Sequence, residues 1–152
     1  MESEHDQISV GRMDVEWLIV ADAVQVQGGK LFMLGGGWDR LTVPSVPHAM
    51  KLGLAAAFRI PWNDTNIRHP FVLRLEHEDG SIVLEMAGQV EVGRPPGIAP
   101  GTAQRAQFAA ELETVFERTG TYRLLASLEG TARTATFTVV EAPKAIRKQN
   151  PR

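Results

Sequence analysis

A glycine-rich segment with a lysine, a tryptophan and an Asp-Arg pair is the first place where this sequence could do chemistry. Residues 28–47 read GGKLFMLGGGWDRLTVPSVP. A phosphate-binding loop places Lys-Ser or Lys-Thr after its glycines, at the start of a helix. Here Lys30 precedes the central glycines, and nothing after them favours a helix whose N-terminus could hold an anion. We therefore interpret Gly35, Gly36 and Gly37 as a bulge or bend in which the strand changes direction or switches sheets.

The histidines do not have the spacing of a metal site. They are His5, His48, His69 and His77, and no pair lies three or four residues apart as in a helical site. His69 and His77 belong to one predicted strand, where their separation corresponds to about 26 Å, too far for one metal ion. We expect surface histidines, no metal ion and no other cofactor.

Two pairs of glutamates have the spacing for general acid–base catalysis, because alternate residues of a strand share one face. The pairs are Glu76 with Glu78 and Glu111 with Glu113. Alternating charged and apolar residues are also what any half-exposed strand shows, and we favour that interpretation. No serine lies in a Gly-x-Ser-x-Gly motif, and there is no cysteine nucleophile. We therefore do not expect an enzyme.

Tryptophans in turn-rich segments are the best candidates for a binding surface. Trp38 follows the glycine-rich bend, and Trp62 lies in the loop PWNDTN. Exposed tryptophans at the rim of a β-sandwich suit a protein contact or the stacking of a sugar. The alternative is that each closes an end of the core, as we expect for Trp17. The candidate interaction surface consists of Trp38, Asp39, Arg40, Trp62, Asn63 and Asp64.

The composition favours a cytoplasmic protein. The absence of cysteine excludes disulfides and thiolate zinc sites and fits a reducing compartment. A net charge of −2 lacks the basic excess of a nucleic-acid-binding protein. The start MESEHDQISVGRMD does not have the pattern of a secretory signal, and no apolar run reaches the roughly 18 residues of a membrane helix. We expect neither a nucleic acid nor a membrane as partner.

Hydrophobic residues alternate with a period close to two along almost the whole chain, which predicts strands. In the first strand we expect Val15, Trp17, Ile19 and Ala21 on one face, and because Leu18 and Val20 are also apolar, cover on both faces is open. Residues 104–116 are open between strand and helix, and we favour a strand. Residues 49–58 read alone would also suit a helix, but Gly53 and the flanking prolines favour a strand. The predicted strands are 15–21, 31–34, 38–43, 49–60, 71–78, 81–92, 106–116, 121–128 and 131–142.

This pattern predicts an all-β protein, a single-domain immunoglobulin-like β-sandwich of seven to nine antiparallel strands with little helix. Tyr122 stands just after a turn at the start of the penultimate strand, where immunoglobulin-like domains bond a tyrosine hydroxyl back to the preceding corner. The alternative is a half-buried strand aromatic. We expect a flexible N-terminal arm at 1–13, the sandwich at 14–142 and a basic tail at 143–152.

Short motifs in a fixed order carry a resemblance. They are Ala21-Asp22, Gly29-Lys30-Leu31, the three-glycine bend, Trp38-Asp39, Pro44 with Pro47, and Gly120-x-Tyr122. In this order the sequence resembles a family of small, uncharacterised bacterial proteins over roughly residues 14–141. The resemblance implies a β-sandwich, and it brings no activity and no catalytic residue.

Three functions remain open at this point. The leading hypothesis is a non-catalytic module for protein interaction or assembly, including self-association into a homo-oligomer, because edge strands invite pairing. The alternative is a module that binds a small ligand or carbohydrate at Trp62 or Trp38. An enzyme that uses Glu111 and Glu113 comes last.

Overall fold

The computed structural model describes residues 11–144. In this part of the chain there are nine strands, a short 3-10 helix at Trp62–Asp64 and no α-helix. Residues 104–116 form a strand, as favoured from the sequence. Predictions for residues 1–10 of the arm and 145–152 of the tail lie outside the described residues. The strands are β1 (Asp14–Gln27), β2 (Lys30–Gly36), β3 (Arg40–Val43), β4 (His48–Ile60), β5 (His69–His77), β6 (Ile82–Val90), β7 (Gln104–Phe116), β8 (Gly120–Leu128) and β9 (Thr131–Glu141).

Two sheets give the protein its β-sandwich-like architecture. The first has the strand order β2-β1-β4-β7, and the second has the order β3-β9-β8-β5-β6. The expectation of antiparallel strands throughout is corrected at one place, because β3 pairs with β9 in parallel. The strand β3 enters the second sheet by crossing from the first and not through a hairpin, so nothing forces it to oppose its neighbour.

The glycine-rich bend is the point where the chain changes sheets. Gly35 and Gly37 have φ values of 59° and 78°, which side chains with a Cβ rarely adopt. The amide of Gly37 donates to the carbonyl of Val20 at 2.9 Å and ends the pairing of the first sheet. The chain then continues as an edge strand of the second sheet, which confirms the bend as a switch between sheets.

The main core lies between the two sheets. On β4 the inward residues are Leu52, Leu54, Ala56, Phe58 and Ile60, and all are fully buried. On β5, Phe71, Leu73 and Leu75 face them from the second sheet, with Phe58 and Phe71 rings 5.0 Å apart. The alternation of residues along β4 and β5 thus determines which side of each strand faces the core.

A β-bulge in β1 overturns the predicted face of the first strand. The register with β4 shifts between Val15 and Trp17, so Val15 turns into the main core while Trp17 faces the other side. Trp17 therefore does not close an end of the main core. It is half-buried against a small second cluster of Ala21, Val24 and Ala55 on the outer face. One extra residue in the strand inverts the alternation that follows it.

Tyr122 makes the bond that its position predicts. Its hydroxyl donates to the carbonyl of Arg118 at 2.6 Å, in the turn that precedes β8. The buried ring stacks on Phe137 at 5.7 Å and meets the edge of Phe116 at 5.1 Å. The residue thereby joins the corner between the sheets to the end of the core.

Candidate functional site

The hairpin of β1 and β2 is the element that positions the candidate site. Its two-residue turn, Gly28-Gly29, has φ values of 59° and 73°, as a type I′ turn requires. Gln27 and Lys30 face each other across that turn. Beyond Ala21 the strand β1 no longer pairs with β4 and continues with β2 alone. We call residues 22–36, which leave the first sheet together, the hairpin arm.

The hairpin arm lies across the outer face of β4 and β7. Two side chains of β7 hold it: Gln107 donates from Nε2 to the carbonyl of Gly29 at 2.7 Å, and Glu111 Oε1 accepts from the amide of Val24 at 3.2 Å. The strand β4 makes room for the arm with small residues. A Cβ at Gly53 would stand 3.3 Å from both methyl carbons of Val24 in the arm, and 2.9 Å from the carbonyl oxygen of Ala21 just before it.

Three consecutive apolar residues of the arm stay in contact with solvent. Phe32 is 55% exposed, Met33 39% and Leu34 74%. Val24, on the neighbouring strand, is buried against β4, so one face of the arm covers the sheet. Phe32 and Leu34 alternate with Met33 along the strand. They lie on the opposite face of the arm, which points away from β4. We call Phe32, Met33 and Leu34 the β2 patch. Neighbouring large apolar residues on a surface mark a protein contact more often than scattered ones do.

Among the described strands, β2 also has backbone groups that no neighbour pairs with. In the type I′ turn the amide of Lys30 bonds to the carbonyl of Gln27, so Lys30 points toward β1. Alternate residues of a strand point their amide and carbonyl to opposite sides, so those of Leu31 and Met33 point away from β1. Within residues 11–144 the strand β2 is the edge of its sheet, and no strand of this range pairs with these groups.

The other three edges of the described sheets carry protection that β2 lacks. The strand β3 has only four residues, β6 contains Glu85 and pairs through a register shift, and β7 carries Arg105, Glu111 and Glu113. Short length, bulges and charged residues are the usual protection of an edge. Residues 31–36 of β2 contain neither charge nor proline. Among these edges, β2 is the one best suited to pairing.

Trp38 faces the core. It is half-buried, its ring meets the edge of Phe137 at 5.2 Å, and Nε1 donates to the carbonyl of Gly35 at 3.0 Å. Asp39 and Arg40 are exposed, and the carbonyl of Asp39 accepts from Thr138 as β3 begins. Of Trp38, Asp39 and Arg40, the two charged residues are the ones that face solvent.

Trp62 is part of a loop that an arginine clamps. The guanidinium of Arg94 lies 4.0 Å from the centre of the Trp62 ring, and its Nη2 donates to the Trp62 carbonyl at 2.9 Å. Arg94 Nε donates to Thr65 Oγ1 at 2.7 Å. Asn63 is exposed, whereas Asp64 is half-buried and its carbonyl bonds to His69. One face of the indole is therefore occupied.

The two tryptophans lie at opposite ends of the sandwich. Trp62 is next to His69, where β5 begins. Trp38 packs on Phe137, which pairs with Tyr122, and Tyr122 in turn pairs with His77, where β5 ends. The structure does not bring the six predicted surface residues into one site.

The prediction of surface histidines is wrong for both ends of β5. His69 and His77 are buried, because each joins a loop to the sandwich. His77 Nε2 lies 2.9 Å from the carbonyl of Thr119, and its Nδ1 accepts from the amide of Asp79 at 3.1 Å. His48, at the start of β4, is half-buried. Between residues 11 and 144, no group of three or more potential ligands could hold a metal ion.

Most of the glutamates proposed for catalysis have structural partners. Glu76 pairs with Arg123, Glu78 Oε2 accepts from the amide of Thr121 at 3.3 Å, and Glu111 holds the hairpin arm. Glu113 lines an open cleft of about 380 Å³ beside His77, Tyr122 and Val115. The buried ring nitrogens and hydroxyl beside this cleft are already bonded to backbone groups.

The β2 patch is not predicted from the sequence, because LFML indicates an ordinary strand between two glycine segments. A signal was present, because four apolar residues in a row do not alternate as a half-exposed strand should. Whether such a run is buried on both faces or exposed on one depends on where the strand lies in its sheet.

The family comparison covers nearly all of the two sheets. The model of DUF6941, a family of unknown function, matches residues 16–140. The chain belongs to this family. The resemblance to an uncharacterised family is thereby confirmed, and the DUF6941 match begins in β1 and ends in β9. A comparison with curated proteins finds no match. The described residues contain no helix of the length and apolarity that a membrane crossing needs.

Proposed function

We propose that this protein is a non-catalytic interaction or assembly module, and that it binds a protein chain that adds a strand to its first sheet along β2. One observation carries the proposal: open backbone groups and three exposed apolar side chains coincide on the same uncharged edge. In strand addition the main-chain hydrogen bonds supply affinity, and contacts of alternate side chains supply specificity.

The β2 patch supplies the apolar part of such a contact. Full burial of a Leu, Phe or Met side chain contributes about 1.5–3 kcal/mol, and Leu34 has the largest exposed fraction to lose. Phe32 adds a large ring, of the kind enriched in protein interfaces. The partner therefore has an apolar, extended segment free of charges at its centre.

We propose further that the sandwich is immunoglobulin-like. The bond from the Tyr122 hydroxyl to the carbonyl before β8 supports this, since such domains use a tyrosine at that corner. The fold by itself implies no reaction, because one sandwich architecture serves many functions.

A sugar-binding platform is not proposed. Trp62 has one face under Arg94, and Trp38 packs on Phe137. A stacking platform needs a free aromatic face, and the described loops do not combine the two indoles.

The proposal is tested by a double substitution on the β2 patch. The Phe32→Ser/Leu34→Ser variant should lose the protein that the wild type captures from a lysate of its host, and also any self-association. The matched control is Ile67→Ser/Ile82→Ser, because Ile67 and Ile82 are 49% and 56% exposed elsewhere. Quantitative mass spectrometry and light scattering measure the two effects. Equal capture and equal mass for both variants would contradict the proposal.

A further inference from the structure

We infer that the strand that adds to β2 is β2 of a second copy, in an antiparallel pairing centred on Met33. The inference rests on the proposed function, since it names the partner of the same edge. The strand spans Lys30–Gly36, so Met33 is its middle residue. A two-fold axis at Met33 overlaps the two strands along their full length and joins two first sheets into one.

The backbone of β2 fits this register. Residues whose amide and carbonyl both point outward exchange two hydrogen bonds when they face each other across an antiparallel pair. With the axis at Met33, Met33 faces Met33 of the second copy, and Leu31 faces Gly35. Met33 and Leu31 are outward-pointing positions, whereas Gly35, with a φ of 59°, lies at the start of the bend. The Gly35 carbonyl already accepts from Trp38 Nε1 and has a second lone pair for the new strand.

The side chains of the β2 patch match themselves in the same register. Phe32 stands opposite Leu34 of the second copy, and Leu34 stands opposite Phe32. Such directly opposed residues contact each other and stabilise a sheet, and an aromatic ring against an aliphatic chain is a favourable pair. One symmetric contact thus covers Phe32 and Leu34, the two most exposed members of the patch, on both copies.

Neighbouring registers fit less well. An axis at Phe32 would place the ammonium of Lys30 opposite Leu34. An axis at Leu34 would place Phe32 opposite Gly36, which offers no side chain. The register centred on Met33 avoids both mismatches, because Lys30 then faces Gly36.

Charges at the two ends of β2 also favour the antiparallel arrangement. The turn end carries Lys30, and the glycine-rich end carries the exposed Asp22, Asp39 and Arg40. The Asp22 carboxylate lies directly beside Gly35, in the space that a Cβ would need. Antiparallel pairing places Lys30 of each copy at the net acidic end of β2 in the other copy. A parallel pairing would place the two lysines side by side.

The contact is small. A seven-residue edge offers less than the roughly 800 Å² per partner of a stable interface. The dimer should therefore form and dissociate with concentration, and its mass should rise toward that of two chains as the solution approaches about 1 mM.

Single cysteines test the register cleanly, because the protein has none of its own. In a hydrogen-bonded antiparallel pair the facing Cα atoms are about 5.5 Å apart, within the range that a disulfide spans. We expect Met33→Cys to form a disulfide-linked dimer under mild oxidation. We also expect a mixture of Phe32→Cys and Leu34→Cys chains to link to each other.

Phe32→Cys by itself is the matched control. Its two copies lie on a diagonal of about 7–8 Å, beyond the reach of an unstrained disulfide. Light scattering of the wild type across concentration accompanies the test and does not depend on any substitution. Linkage at Met33 together with a concentration-dependent dimer supports the inference.

Other outcomes overturn it in distinguishable ways. A wild type that stays monomeric up to about 1 mM, or Phe32→Cys chains that link as fast as Met33→Cys chains, contradicts the pairing centred on Met33. If the wild type is monomeric while the Phe32→Ser/Leu34→Ser variant still loses a captured protein, the second-copy inference fails and the proposed function stands. If the double variant loses nothing either, both fail.

Discussion

Tyr122 and Arg118 are joined by a hydrogen bond of 2.6 Å from the tyrosine hydroxyl to the backbone carbonyl four residues earlier. The bond ties the start of β8 to the corner that follows β7, at the edge of the aromatic cluster with Phe116 and Phe137. Burial raises the pKa of Tyr122 above its usual value of about 10, at which the hydroxyl is already a donor at neutral pH.

The Tyr122→Phe variant should destabilise the protein by about 0.5–1.5 kcal/mol, because it removes one hydrogen bond and leaves the ring in place. Urea denaturation measures the loss. The control is Arg118→Ala, which keeps the carbonyl and removes only an exposed side chain that pairs with Asp79. A cost for Arg118→Ala as large as that for Tyr122→Phe would show that the backbone acceptor is not what matters.

Buried His69 should make stability depend on pH. Its Nδ1 lies 3.1 Å from Glu129 Oε1 and its Nε2 lies 2.7 Å from the carbonyl of Asp64. A carboxylate and a carbonyl only accept, so the ring must carry both protons to satisfy the two of them. Burial lowers the pKa of His69, but the bond to the Asp64 carbonyl and the bond and charge of Glu129 outweigh it, and the pKa is raised above 6.5.

A raised folded-state pKa sets the sign of this effect. The stabilisation that protonated His69 contributes is complete below about pH 6.5, the ordinary pKa of histidine. It is lost as the pH rises through the raised pKa of His69 in the folded protein. The wild type should therefore lose free energy of unfolding as the pH rises above about 6.5, and Glu129→Gln should reduce that loss. An NMR titration that places the pKa of His69 below 6.5, or an equal loss in both proteins, would refute the prediction.

Gly53→Ala should cost about 1–3 kcal/mol, because its Cβ would lie 2.9 Å from the carbonyl oxygen of Ala21 and backbone atoms cannot easily move aside. Thermal unfolding measures the change. Gly93→Ala is the matched control, since the nearest atom to its Cβ would be Asn66 Oδ1 at 3.7 Å. If the two substitutions have the same effect, Ala21 of β1 and Val24 of the hairpin arm do not pack as closely against Gly53 of β4 as described.

Arg94→Ala should loosen the loop around Trp62. The substitution removes the cation over the indole and two hydrogen bonds, to the Trp62 carbonyl and to Thr65. Amides at residues 62–66 should exchange faster with solvent while the strands keep their protection. Arg68→Ala, which loses only an exposed ion pair with Glu91 at 3.4 Å, is the control. Equal exchange in the two variants would rule out the clamp.

The sequence predicts the sandwich because strict alternation marks the faces of most strands. Phe71, Leu73 and Leu75 are an example: each is buried, and the residues between them are half-exposed. Alternation fails at Val15, where one bulged residue inverts the face, and it says nothing about the direction of β3. Both features depend on pairing with strands that are distant in sequence.

The candidate site is harder to predict for the same reason. The glycines predict turns and a switch of sheets correctly, because positive φ is a local property. That β2 is an edge strand, and that its arm covers β4 with one face only, follows from long-range packing. Gly53 is the one local sign of that packing, a strand glycine where another backbone approaches closely.

The claim that a strand adds to β2 is tested most directly at the amides of Leu31 and Met33. Residue-resolved hydrogen exchange by NMR should show both amides exchanging fast in the dilute, unbound protein. Both should become protected when the protein is concentrated or bound to its partner, while amides on the outer side of β7 should not change. Association without protection at Leu31 and Met33, or protection that appears along β7 instead, would contradict the account.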